Sequence, residues 1–124
     1  MIDFKNGVFV KLKPVDDSAY SSMLMPMFVS GEQIIATYKG VRDGVVFTNK
    51  RIIAINVQGI TGTKKDFSSL PYSKIQAFSV ETAGVLDLDS ELEIWFSGLE
   101  KVKFEFISKA NVSEICRMIS ERVL

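Results

Sequence analysis

The sequence predicts a small, mostly β domain in which seven antiparallel strands wrap one core and a C-terminal helix closes it. Three observations lead there. Apolar and polar residues alternate strictly through Glu91–Ser97 and again through Lys101–Ile107, the mark of half-buried strands. Between residues 33 and 82, short apolar runs are separated by Gly, Asn and Pro. From Val112 the apolar spacing changes to three and four, as Val112, Ile115, Cys116, Ile119 and Val123 share one helical face.

Taken in order, the chain begins with a short strand candidate at Val8–Leu12. Asp16, Asp17 and Ser18 then start a helix carrying Tyr20, Met23, Leu24, Met27 and Phe28, which Pro26 kinks or ends. The first of the seven strands is Gln33–Lys39, ended by Gly40. Asp43–Thr48 and Arg51–Val57 follow, with only Asn49 and Lys50 between them; a two-residue gap opened by Asn favours a tight hairpin. Gly59 and Gly62 break the chain before Lys64–Leu70, which Pro71 stops because it has no N–H to offer a ladder. Ile75–Thr82 is the fifth strand. In the last hairpin Leu92, Ile94 and Phe96 share one face with Val102, Phe104 and Phe106. Glu91, Glu93, Trp95, Lys101, Lys103 and Glu105 lie on the other, where Glu and Lys can pair across strands. Ser108 or Asn111 caps the final helix, and Asn111 with Glu114 approximates a capping box. Residues 1–30 form an N-terminal extension with a short helix, part of the same domain as residues 31–124. No repeat or linker marks a second domain.

Composition narrows the function. The chain has 124 residues, 47% hydrophobic and 24% charged, enough for one core without staples. Lys+Arg and Asp+Glu are 15 each, so the basic excess of a phosphate-gripping nucleic-acid binder is missing and no nucleic-acid partner is expected. The single cysteine, Cys116, rules out an internal disulfide. The N-terminus does not resemble a secretory signal, and the longest apolar run, Met23–Val29, is far short of a membrane span. A cytoplasmic location is the expectation. There is no histidine, which removes the commonest general base, the commonest zinc ligand and every imidazole-centred triad. No serine lies in a glycine-flanked elbow or a Ser-x-x-Lys arrangement, and Cys116 reads as a packing residue on the buried helix face. The chain is read as non-catalytic, with no cofactor and no metal.

The stretch Arg42–Gly98 resembles the bacterial pleckstrin-homology (PH) domain family. The resemblance is carried by Arg42-Asp43, Phe47-Thr48-Asn49-Lys50-Arg51, Gln58-Gly59, Gly62, Pro71-Tyr72, Phe78-Ser79-Val80-Glu81-Thr82-Ala83-Gly84 and Asp87-Leu88-Asp89. It implies a PH-like, seven-stranded antiparallel barrel of two near-orthogonal sheets capped by the C-terminal α-helix. It also implies self-assembly into ring-like homo-oligomers, with a cellular role that the family does not fix. The first thirty residues depart from the pattern, which usually has a longer regular helix there.

Four features are candidate sites. In PH-like folds the open barrel end is formed by the loops after strands one, three and six; here those loops carry Lys39, Arg42, Lys64, Lys65 and Lys101, against Asp43, Asp66 and Glu100. Such cations suit an anionic lipid head group or a phosphorylated ligand. Lys39-Gly40-Val41-Arg42, however, lacks one basic residue of the usual inositide pattern, and a solvated mixed-charge rim is the plainer reading. Asp87, Asp89, Glu91 and Glu93 alternate like calcium ligands, but Leu92 stands where such a loop needs glycine and Gly98 where it needs Glu, so a solvated strand edge is expected. Trp95 faces outward, either as an interface anchor or covered by the N-terminal helix of its own chain. Met23, Met27 and Phe28 belong to an apolar segment that must bury on its own barrel or on a neighbouring subunit. The leading expectation is a non-catalytic module that binds itself, and possibly another protein. The alternative is a binding domain for an anionic lipid head group or phosphorylated ligand at the open barrel end, with membrane contact the less expected outcome.

Overall fold

The computed structural model describes residues 2, 4, 9–86, 88–107 and 110–124. Eight strands run β1 (Phe9–Pro14), β2 (Ile34–Lys39), β3 (Gly44–Thr48), β4 (Arg51–Gln58), β5 (Lys64–Pro71), β6 (Ile75–Glu81), β7 (Ser90–Phe96) and β8 (Val102–Phe106). Two helices, α1 (Ser18–Leu24) and α2 (Val112–Val123), precede β2 and follow β8. The strands form one continuous sheet in the order β5-β4-β3-β2-β1-β8-β7-β6. The seven expected strands are β2–β8, displaced by a residue at most of their ends. The count is eight because the short strand candidate, whose first residue Val8 lies outside the described residues, is a full member of the sheet.

β1 is the join between the two halves. Its start runs parallel to β8, with Phe9 beside Phe104 and Leu12 beside Phe106. Its end runs antiparallel to β2, with Lys13 beside Lys39. Three residues on β1 therefore span two on β8, and the surplus is absorbed at Lys11, whose φ of 53° lies in the left-handed region. That bulge is why Phe9 and Leu12, three apart, are both buried where simple alternation would send them to opposite faces. Gly40, just after β2, is required by the same join: a Cβ there would sit 2.8 Å from the Val10 carbonyl oxygen.

One core lies inside the curl. Leu92, Ile94, Phe96, Val102, Phe104 and Phe106 all face it, as alternation predicts, together with Tyr38, Val45, Phe47, Ile52, Ala54 and Leu70 of the other half. The helix α2 stoppers one end. Its buried residues are Val112, Ile115, Met118 and Ile119, so the face is rotated from the expected one: Met118 goes in, and Cys116 and Val123 sit half-buried at its flanks. Asn111 caps α2, its side chain accepting from the Glu114 N–H at 3.2 Å; the other cap candidate, Ser108, lies outside the described residues. A second, smaller core forms on the outer face of β3 and β4, where Tyr20 and Leu24 of α1 cover Val46, Ile53 and Ile55. That is why every residue of β3 is buried.

Candidate functional site

Alternation along β2, β4 and β5 decides where the loop cations point. Ile52 and Ala54 belong to the inner core. Ser68 pairs with Ala54 and Asp66 with Asn56, so these polar residues continue the inward row toward the loop end of the barrel. There the Asn56 amide donates to Asp43 Oδ1 at 2.8 Å and the Ser68 hydroxyl donates to Asp66 Oδ1 at 2.7 Å. The Ser68 bond, the largest influence, helps hold the Asp66 carboxyl below its ordinary value. Ser68 Oγ also accepts from the Ile2 N–H at 3.1 Å. Ile2 and Phe4 are buried in the core, with the Phe4 ring stacked 5.9 Å from Phe9. The barrel end expected to stay open for an anion thus carries Asp43 and Asp66 together with Lys64, on the same face of β5 as Asp66, and the chain's own N-terminal apolar residues Ile2 and Phe4 are packed into the interior. The packed apolar residues leave an anion little room there.

The other cations lie elsewhere. Lys39 follows the inward-facing Tyr38, and Lys65 pairs with Val57 on the face opposite Asn56 and Asp66. Lys39, Arg42 and Lys65 come together in an outer cleft of about 420 Å3, walled by Tyr20 and Met23 of α1 and by Val41, Val57 and Ile60. Two of the three are held in place by loop carbonyls: Arg42 Nη2 donates to Gly59 and Lys65 Nζ donates to Gly62 at 3.0 Å. Among the described residues none of the three pairs with a carboxylate. The neighbouring Asp43 accepts from Asn56 and from the Val57 N–H. Lys64 is exposed and lies on the opposite face of β5 from Lys65. Lys101 is absent from the cleft, since its Nζ bonds Glu93 at 3.0 Å and sits 5.8 Å from the Trp95 ring centre. The five-residue rim expected from sequence is therefore a group of three on the helix side of the sheet.

At the cleft floor the Tyr20 ring lies against Gly44, where a Cβ would come within 2.4 Å of its hydroxyl. Only glycine leaves room for it. The hydroxyl is shielded from water and has no hydrogen-bond partner among the described residues. Burial first, and the Asp43 charge second, push the phenol above its usual pKa, so it stays a protonated donor.

Trp95 is 38% exposed on the outer face of β7, flanked across β6 by Ala77. The helix α1 covers β3 and β4 instead, so Trp95 is not under it. Met23 and Phe28 pack against the second core, whereas Met25 and Met27 remain exposed; the methionine-rich segment is only half buried on its own chain. In the acidic stretch, Glu91 and Glu93 pair with Lys103 and Lys101, and Asp87 lies outside the described residues.

One polar cluster escaped sequence reasoning. Glu32, its side chain fully buried, receives a forked pair of bonds from Arg51 at 3.0 and 2.9 Å. It also receives the Thr48 hydroxyl at 2.7 Å and the Val29 N–H at 3.1 Å. Arg51 continues to the Met27 carbonyl and to Ser69, and Asn49 clasps Gln33 and Gly31. The run Thr48-Asn49-Lys50-Arg51 thus moors the segment after α1 to the β3–β4 hairpin.

The sequence model of the family described as bacterial PH domain matches residues 3–123. The chain is 41% identical over 119 residues to the uncharacterized protein YjqA of Bacillus subtilis, covering 94% of this chain and 95% of that one. It is 30% identical to the uncharacterized protein YozO of the same organism, covering 88% and 94%. Among solved structures it is similar to a DUF1696-family protein with a pleckstrin-homology domain from Shewanella loihica, at a TM-score of 0.82 and 37% identity over 93% of this chain and 99% of that one. A pleckstrin-homology domain from Shewanella amazonensis gives 0.69 and 40%, over 89% and 90%.

Proposed function

The chain belongs to the bacterial PH domain family, and from that premise we propose that it is a non-catalytic PH-like interaction module that self-associates into a homo-oligomer. The observation that carries this reading is Trp95. It is exposed beside Ala77 on β6, a strand at the end of the sheet whose outer edge has no partner among the described residues. A free strand edge is a template for pairing with another chain, and an exposed indole next to it is a natural anchor. The half-exposed methionine segment, Met25 and Met27 above all, offers a second apolar contact, so two different surfaces support head-to-tail contacts that close a ring.

Light scattering across a concentration series tests it. The expected mass is a multiple of 13.9 kDa, falling when Trp95→Glu is introduced; a mass of one chain at every concentration sinks the reading. A second role, capture of an anionic lipid head group or phosphorylated ligand, is supported by the grouping of Lys39, Arg42 and Lys65 without a carboxylate partner. No described helix is long and apolar enough to cross a membrane.

A further inference from the structure

We propose that the β6–β7 loop, residues 82–89, docks through Val85 and Leu86 into the groove between β2 and α2 of a second copy of this chain. The inference rests on the self-association reading and deepens it by naming the segment that one copy gives and the groove that the next one offers.

The groove follows from how β1 ends. β1 pairs with Lys39 and Tyr38 of β2, the Val15 N–H reaches the Thr37 carbonyl, and the chain then turns away into α1. Ile35 and Ala36 are left without a strand on that side among the described residues, and α2 packs toward β6 and β7 without closing the gap. What remains is a groove of about 210 Å3 floored by Ile35, Ala36, Tyr38, Ile115 and Met118, with Glu114 on its border. It runs on past Met118 to Arg117 and Arg122. Arg122 is held by the Met118 carbonyl at 2.8 Å, whereas Arg117 has no carboxylate partner among the described residues.

The loop has the complementary character. Val85 and Leu86 are 94% and 99% exposed, and two aliphatic side chains standing in water side by side mark a contact surface. Residues 81–91 carry Glu81, Asp87, Asp89 and Glu91 and no lysine or arginine. An apolar tip with acidic flanks is repelled by an anionic lipid surface and suits an apolar floor beside an uncommitted arginine. Glu114 favours Leu86 over an acid at that floor and sends the acidic flank to Arg117. Met118 is the adaptable part of the floor. The loop also joins β6 to β7, the strands that carry the free edge and Trp95, so the giving surface is continuous with the one already proposed. The taking surface is a different one, which makes the contact head-to-tail.

Light scattering on the intact chain is the test, with two double variants at exposed positions. Val85→Ser with Leu86→Ser removes the tip, and Ile35→Glu with Arg117→Glu spoils the groove. Both melt with the parent, and each weakens association about tenfold or more, as the loss of one large buried side chain predicts. The decisive sample is their equimolar mixture. One chain keeps a sound groove and the other a sound loop, so the mixture forms a two-chain complex at concentrations where each variant alone is a single chain. A mixture that stays at the single-chain mass overturns the docking. If both variants keep the parent's mass while Trp95→Glu lowers it, the docking falls and self-association through Trp95 stands. If the parent is a single chain at every concentration, both fall. Cosedimentation of the parent with phosphatidylcholine–phosphatidylglycerol vesicles, lost in the loop variant, gives the tip to a membrane and also overturns the docking.

Discussion

The two halves of the sheet handle carboxylates in opposite ways. On β2–β5 the outer face is roofed by α1, and Glu32, just before β2, is buried and bonded by Arg51, Thr48 and Val29. On β6–β8 no described helix roofs the outer face; its charges stand in rows, and Glu81, Glu91 and Glu105 lie directly opposite one another across three strands. Lysines relieve this only on the diagonal, Lys103 to Glu91 at 3.3 Å and Lys101 to Glu93 at 3.0 Å. One half is a locked structural element. The other holds its carboxylates in solvent-facing rows, with Trp95 exposed among them.

Breaking the locked half gives the largest effect. Arg51→Ala leaves the Glu32 carboxylate buried without its fork, and stability to urea falls by about 3–5 kcal/mol. Replacing both partners with apolar residues of similar volume restores most of it. The pH signature follows from the carboxyl itself. Burial is the largest influence and pushes its pKa up, but the bonds from Arg51, Thr48 and Val29 outweigh it and hold the pKa below the ordinary value. A depressed carboxyl contributes stability that is present above the unfolded-state value and lost as pH falls through the lower native one. Acid melts of the apolar pair lose less than those of the parent, the remainder coming from other depressed carboxyls such as Asp66; an Arg51→Ala cost under about 1 kcal/mol would make the fork dispensable.

These two halves were not equally legible. Period-two spacing marks β7 and β8 almost to the residue, because one face is wet and the other dry. The β3–β4 hairpin was readable from Asn49-Lys50, but the role of Thr48 and Arg51 was not: their partner Glu32 is nineteen positions from Arg51, and no local pattern joins them. The strand β1 resisted counting because its bulge puts Phe9 and Leu12 three apart, a spacing that breaks strand alternation. At the candidate site the residue types were correct for three of the five cations. The failure lay in the face: an inward Asp43–Asp66 row and an outward Lys39–Lys65 row alternate along the same strands, and only the pairing with Ala54 and Val57 tells which is which. Tyr20 was read as a helix-face residue, and its stranded hydroxyl depends on Gly44, twenty-four residues on.

The seam between the halves offers a smaller change. Lys11 holds a left-handed φ of 53°, which disfavours any residue with a Cβ by about 1–2 kcal/mol. Lys11→Gly removes that strain while loosening the unfolded chain, leaving a net gain of roughly 0.5 kcal/mol in urea. Lys11→Val at the same position loses stability. Equal midpoints for the three proteins would mean that the bulge relaxes and does not set the join.

The wet half yields the smallest effect and one of opposite sign. The carboxyl of Glu105 is raised above its ordinary value, first by burial, then by its hydrogen bond with Asp89 and by the Asp89 and Glu91 charges, with Lys103 opposing. For an acid raised in the native state, the stabilising contribution is present below the unfolded-state value and lost as pH climbs through the higher native one. At neutral pH Glu105 therefore carries a penalty from burial first and like charge second, which Glu105→Gln lifts by about 0.3 kcal/mol. The gain shrinks as pH drops into the carboxylate range, the reverse of the Glu32 case, and salt reduces it because the row faces solvent. Urea midpoints at neutral and acidic pH separate the two behaviours. A Glu105→Gln variant no more stable than the parent at low salt and neutral pH would mean that Lys103 and Lys101 already neutralise the row, and that the contrast between the halves lies in apolar exposure alone.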